Sequence, residues 1–150
     1  MSEWTNVTIG DQISIIPGFP FDSKYFTAEG GMPLVRIRDL MTGTTDTNYR
    51  GPFDKSSVIN NGDVLVGMDG DFNIARWKGR TALLNQRMLK LAGRNGSSLH
   101  LPFLFYILGP FLKHINDITA ATTVKHLSTY DISKARIAVP PFPEQRKIAN

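Results

Sequence analysis

The order in which this chain arranges its apolar residues constrains its fold more than any other feature. Up to Leu91 the apolar runs are short and are repeatedly broken by Gly, Pro, Asn and Asp, the spacing of strands and turns. Only beyond residue 100 does a longer apolar run appear. Trp4, Val7 and Ile9 predict a first strand that runs into Gly10-Asp11. Ile13, Ile15 and Ile16 form a second apolar stretch, which breaks at Pro17-Gly18. Pro33 to Arg38 alternates, with Val35 and Ile37 on one side and Leu34, Arg36 and Arg38 on the other. Residues 41–57 are polar and rich in Thr, Asn, Gly and Ser, and read as a loop. The turn Asn60-Asn61-Gly62-Asp63 launches a buried strand, Val64 to Met68, and Asp69-Gly70-Asp71 makes the next turn. Phe72 to Lys78 and Leu83 to Leu91 read as further strands. Residues 101–115, from Leu101 through Phe105, Leu108 and Leu112 to Ile115, carry the apolar faces of a buried helix, which Gly109-Pro110 is expected to kink or interrupt. A short helix near Ser128 to Lys134 then leads to an extended segment, Arg136 to Val139. Strands come first and helices cluster late. That predicts an α+β fold, with a mixed, mostly antiparallel curved sheet and a few helices, rather than alternating βαβ units.

A chain of 150 residues fits one domain and can bury roughly 70% of its unfolded surface. It contains no cysteine, so no disulfide staples it, which fits a reducing compartment. No apolar run approaches the roughly 20 residues of a membrane span. The opening Met1-Ser2-Glu3-Trp4 lacks the basic and apolar regions of a secretory signal. The expected setting is the cytoplasm, with no membrane partner. The formal net charge of +4 hides an asymmetry. Residues 1–71 hold 5 Lys/Arg and 10 Asp/Glu (net −5), whereas residues 72–150 hold 12 and 3 (net +9). The second half is the side expected to meet a polyanion.

The final segment, Pro140-Pro141-Phe142-Pro143-Glu144-Gln145-Arg146-Lys147-Ile148-Ala149-Asn150, reads as a helix start. Proline costs no hydrogen bond in a first helical turn, and a carboxylate there suits the positive end of the helix dipole. Gln, Arg, Lys and Ala are good helix formers. The expected division is a globular domain over 1–140 and the opening of a helix over 141–150, with the body of that helix missing and a partner implied.

The chemistry-bearing patterns are incomplete. Asp69, Asp71 and Asn73 open like a calcium loop, but Ile74 stands where Gly is needed and Arg80 where Glu is needed. His100, His114 and His126 lack ligand spacing. Gly67-Met68-Asp69-Gly70 lacks the Gly-Lys-Ser/Thr of a phosphate loop, and there is no Gly-x-Ser-x-Gly elbow. Val139-Pro140-Pro141-Phe142 resembles the Asn/Asp-Pro-Pro-Tyr/Phe motif of amino-methylating DNA methyltransferases, but Val139 cannot accept a hydrogen bond from a base amino group. No catalytic residue, metal or cofactor is expected.

Four blocks, in order, resemble a target-recognition domain of a type I restriction–modification specificity subunit. They are Trp4 through Gly10-Asp11 with Gly18 beyond; Gly62 through Gly70 with Leu84-Asn85-Gln86-Arg87; Thr122 through Ser128; and Pro140 through Ile148. The resemblance covers nearly the whole chain. It implies a subunit that usually carries two such domains, each followed by a long helix, the two helices pairing as an antiparallel coiled coil. This chain departs in having one recognition domain and the first turn of one helix. The resemblance further implies a non-catalytic reader of one half of a split double-stranded DNA target. Adenine-N6 methylation would belong to a modification subunit and ATP-driven cleavage to a restriction subunit. A second copy or a second recognition half would complete the target. Similar domains are fused to some type II adenine methyltransferases.

Candidate DNA contacts follow from side-chain chemistry. Arg meets guanine bidentately and Asn or Gln meets adenine, while Lys and Arg also hold phosphates. Arg36 and Arg38 share a face of one expected strand; the alternative is a plain solvated face. Arg76, Lys78 and Arg80 form a basic ladder, the first two on a strand face and Arg80 in the following turn. Asn85, Gln86 and Arg87 could read bases or tie strands together. Lys125 and His126 could hold a phosphate before the short helix, or Thr122 and Thr123 could simply cap it. The loop 41–57 offers Asn48, Tyr49, Arg50 and Lys55. In the final helix Ile148 would open an apolar seam for a partner helix, with Glu144, Gln145, Arg146 and Lys147 around it. Two other readings stay open: a docking module for a methyltransferase with little DNA contact, and a metal-dependent nuclease built on Asp63, Asp69 and Asp71.

Overall fold

The computed structural model describes residues 3–70, 72–118 and 127–149. In chain order the elements are β1 (Thr5–Thr8), α1 (Ile9–Gln12), β2 (Ile13–Pro17), β3 (Phe26–Thr27), β4 (Met32–Val35), β5 (Asn48–Tyr49), β6 (Val58–Ile59), β7 (Val64–Gly67), β8 (Ile74–Arg76), β9 (Ala82–Leu84), β10 (Met88–Gly93), α2 (Leu101–Ile118), α3 (Thr129–Ser133), β11 (Arg136–Val139) and α4 (Phe142–Ala149). The class is α+β with mostly antiparallel pairing, and the described strands divide among three sheets. One runs β2-β10-β7-β8, antiparallel throughout. The second runs β3-β5-β4-β9-β6, antiparallel except for β4 beside β9. The third pairs β1 with β11, Thr5 opposite Val139, so segments far apart in the chain are stitched together.

The period-2 alternation of side chains stacks these sheets in layers. All of β7 is buried. Its Val64 and Val66 join Leu89 and Leu91 of β10 in a cluster with Phe103, Leu104, Leu108 and Leu112 of α2. Its Leu65 faces the other way and joins Met88, Trp77 and Ala75 against Val35, Ala82 and Leu84 of the second sheet. Leu83 of β9 points beyond that sheet, into a satellite cluster with Phe21, Leu34 and Tyr49. The layers are therefore α2, the four-stranded sheet, then the five-stranded sheet. Each fully buried Leu, Ile or Phe contributes about 1.5–3 kcal/mol relative to exposure. That burial carries α2 through Pro110, which lies on its exposed side, so the helix is not interrupted at Gly109-Pro110. No helix among the described residues is long and apolar enough to cross a membrane.

Several sequence expectations are corrected. The first strand stops at Thr8, because Ile9 donates its N–H to Ala135 O at 2.9 Å and starts α1. Phe72 sits at φ +48°, so the next strand begins only at Ile74 and ends at Arg76. Residues 83–91 are two strands: Arg87 at φ +73° turns the chain between β9 and β10, which belong to different sheets. Asn48 and Tyr49 form β5 inside the supposed loop, and Tyr49 is buried. The alternation through 33–38 also ends early. Asp39 accepts the Arg36 N–H at 2.9 Å, which ends β4 at Val35 and folds Ile37–Asp39 into a 3-10 turn. Ile37 is thus exposed, and Leu40 is buried in its place.

Gln145 is not part of an exposed seam. It is fully buried, and its amide accepts from His100 N (2.8 Å) and donates to Ser98 O (2.8 Å) and Pro140 O (2.9 Å). One side chain therefore caps the start of α2 and fastens α4 to it. Gln145→Ala would strand three polar groups, and the expected loss is about 2–4 kcal/mol, read as a lowered urea midpoint.

His100 beside this latch meets the Phe142 ring edge-on at 5.4 Å. Burial first, and then the charges of Arg146 and Arg76, push its imidazole below the ordinary 6.5. The unfolded chain then takes up the proton first, so this contribution to stability is present above pH 6.5 and is lost as pH falls through the lowered value. Between pH 7 and 5, Tm is expected to fall less steeply in His100→Gln than in the parent chain.

Candidate nucleic-acid interface

Residues 41–47 form a polar tongue rooted in the five-stranded sheet. Its backbone is held by threonines. Thr45 Oγ1 donates to Leu34 O (2.7 Å), Thr47 N donates to Thr45 Oγ1 (3.2 Å), and Leu34 N donates to Thr47 O (2.8 Å). β5 then anchors the far end by pairing with β3 and β4. What composition describes as a loose loop is an irregular but hydrogen-bonded structure.

Asp46 at the tongue gathers the two arginines of the 36–39 turn. Its Oδ1 accepts from Arg36 Nη2 at 2.6 Å, Arg38 Nη2 at 3.3 Å and Thr47 Oγ1 at 3.1 Å. The Thr47 hydroxyl, then the charges of Arg38 and Arg36, hold the Asp46 carboxyl below the usual carboxylate range against an opposing desolvation effect. The two arginines are unequal. The Arg36 side chain is 24% exposed and also lies 3.8 Å from Asp39, whereas that of Arg38 is 61% exposed. Arg36 and Arg38 therefore do not share a strand face; they meet around a carboxylate.

On its other side the tongue touches the turn after β8. A methyl group placed on Gly43 would sit 2.9 Å from Lys78 Cβ, so the two segments are in direct backbone contact. A cleft of about 290 Å³ opens there, lined by Thr44, Thr45 and Asn48 together with Trp77 and Arg80. The buried Trp77 fixes that turn by donating its indole N–H to Arg80 O at 2.8 Å. Lys78 and Arg80 are exposed beside it. Arg36, Arg38, Asn48, Lys78 and Arg80 are therefore brought together around one tongue.

The remaining candidates lie elsewhere. Arg76 does alternate with buried Ala75 and Trp77, but its guanidinium covers the Phe105 ring of α2 at 4.9 Å. Arg50 donates from Nε (3.2 Å) and Nη2 (3.0 Å) to Glu29 O. Arg87 grips Asp69 bidentately, Nε to Oδ2 at 2.6 Å and Nη2 to Oδ1 at 2.8 Å, and that bond raises its pKa. Asn85 bonds its N–H to Val35 O and takes Phe21 N on its side chain, which favours the strand-tying role. The chain reaches Asn85 closely enough that any side chain at Gly18 would collide with its carbonyl. Gln86 is exposed. Thr122, Thr123, Lys125 and His126 lie outside the described residues.

The nuclease reading loses two of its ligands to internal pairs. Asp63 accepts from Asn60 N at 2.7 Å and lies 3.4 Å from Lys90 Nζ, and Asp69 is held by Arg87. Asp71 lies outside the described residues. In α4, Glu144 is half-buried, while Arg146, Lys147 and Ile148 are exposed. Sequence reasoning, looking for cations and amides, missed Asp46. The signal available was an acidic residue set among four threonines in a polar loop next to two arginines.

The family model for the type I restriction modification DNA specificity domain matches residues 1–150. The chain is 37% identical over 147 residues to the type I restriction enzyme EcoBI specificity subunit of Escherichia coli, covering 97% of this chain and 31% of that protein. In structure it is similar to the HsdS subunit from Thermoanaerobacter tengcongensis, with TM-score 0.71 and 23% identity over 98% of this chain and 36% of the other. It is also similar to a chain from a structural study of complex assembly and conformational transition of the type I R-M system, with TM-score 0.75 and 22% identity over 98% and 36%. The chain thus spans about a third of the length of these relatives. The match along its whole length shows that it belongs to the family of type I restriction modification DNA specificity domains.

Proposed function

We propose that residues 1–140 read one half of a bipartite duplex target, without catalysing a reaction, for a modification and a restriction subunit, with adenine-N6 methylation performed by the former. The observation that carries this reading is the convergence of Arg38, Asn48, Lys78 and Arg80 around a rigidly hydrogen-bonded tongue. The family to which the chain belongs supports it. Phosphate contacts give affinity and position, and base-edge contacts give sequence. Lys78 suits the first role. Arg38, Asn48 and Arg80 have the donors and acceptors for the second. In this reading α4 (Phe142–Ala149) would open the helix that sets the spacing to a second recognition half or a second copy, and the exposed Ile148 would open its seam.

The test is duplex binding across a salt series, with the chain assembled on its modification subunit, together with mapping of methylated adenines. The logarithm of the binding constant is expected to fall linearly with log[salt]. Lys78→Ala should lessen that slope by about one and weaken all sequences alike. Arg38→Ala should relax one position of the consensus, a loss of about 1–3 kcal/mol in discrimination. Arg87→Ala should lower thermal stability and leave the salt slope unchanged. Binding that is indifferent to both sequence and salt would overturn the reading.

A further inference from the structure

We propose that Asp46 is itself a base-reading residue: Arg36, Arg38 and Thr47 hold its carboxylate through Oδ1, and Oδ2 accepts a hydrogen bond from an exocyclic base amino group in the major groove. The inference rests on the DNA-recognition reading and adds to it a determinant of the opposite charge to those expected.

The first observation is how one oxygen is used. Among the described residues, all three side-chain donors that reach Asp46 converge on Oδ1 and Oδ2 takes none of them, with a backbone hydrogen bond from Asp46 itself as a further support of the carboxylate. The side chain is nevertheless 79% exposed. A surface carboxylate normally samples several rotamers, so three convergent donors give this one an unusual degree of preorganisation. The backbone beneath it is fixed as well, because Thr45 and Thr47 lock the tongue to Leu34 on β4.

The second observation is charge. Arg36 and Arg38 face Asp39 and Asp46 in one chain of contacts, so the group sums to zero. A neutral cluster presenting a carboxylate at its exposed end has no net pull on a phosphate. A base amino group, by contrast, is a hydrogen-bond donor without charge, and carboxylates are suited to accept from cytosine N4. Adenine N6 offers the same donor chemistry.

The third observation is position. Asp46 and Thr47 border a shallow groove of about 270 Å³ shared with Phe26, Thr27 and Ala28. The same tongue borders the Asn48–Arg80 cleft on its other side. Asp46 therefore stands between two recesses, beside the more exposed arginine. An Arg donor next to a carboxylate acceptor can discriminate neighbouring base edges of opposite polarity.

The experiment uses the chain assembled with its modification subunit and reads methylation and binding on a library of duplexes varied across the half-site. Asp46→Asn replaces an acceptor by a donor, and Asp46→Glu keeps the charge but moves both oxygens by a methylene. Asp46→Glu is expected to change the preference at one base pair by roughly tenfold or more with the salt slope unaltered, and Asp46→Asn to change the preference at that same pair by at least as much. If Asp46→Asn instead tightens or weakens every sequence equally and Asp46→Glu behaves like the parent, Asp46 is only a counter-charge and the proposal is overturned. That result is distinct from failure of the recognition reading, in which the parent chain itself would show no preference.

Discussion

The double-sided burial of β7 governs the architecture. Valines on one face and Leu65 on the other leave this strand no surface to show to water, so both faces of its sheet must be covered. α2 covers one and the five-stranded sheet covers the other. The consequence is functional as well as structural. The tongue 41–47 is rooted in the outer sheet, while α4 is rooted against α2, so the proposed DNA-reading surface and α4 belong to different layers. Each can then vary its exposed side chains without disturbing the packing that supports the other.

The interface illustrates why a basic composition is a poor map of a binding surface. Several of the cations in the sequence are already engaged inside the molecule: Arg87 with Asp69, Arg76 with Phe105, Arg50 with Glu29 O. These contacts position backbone turns and sheet edges. The cations left around the tongue are fewer but better placed. Trp77 fixes the turn that carries Arg80, and Asp46 fixes Arg36 and Arg38, the orientation that the proposed reading role requires.

Gln145 performs a comparable service for the helix. A neutral amide can both accept from His100 N and donate to two carbonyls, which no hydrophobic or charged residue could do in that buried place. By satisfying the start of α2 it sets the direction in which α4 leaves the domain. Beyond Phe142 and Pro143 in its first turn, the residues left exposed on α4 are Arg146, Lys147 and Ile148.

Much of this was legible from local pattern. The late clustering of helices, the buried strand from Val64 (ending at Gly67 rather than Met68), the turn at 60–63, the closing strand 136–139 and the helix start after Pro141 are all encoded by residues near one another in the chain, through periodicity, capping and turn chemistry. The family resemblance was likewise carried by short contiguous blocks. What tertiary structure alone decided were the meetings of distant residues: Arg36 and Arg38 with Asp46, Gly43 with Lys78, Arg87 with Asp69, and Gln145 with the start of α2. Local sequence states which donors and acceptors exist. Which of them face each other depends on strand register and layer packing, and these are set by the burial of the whole core rather than by any one segment.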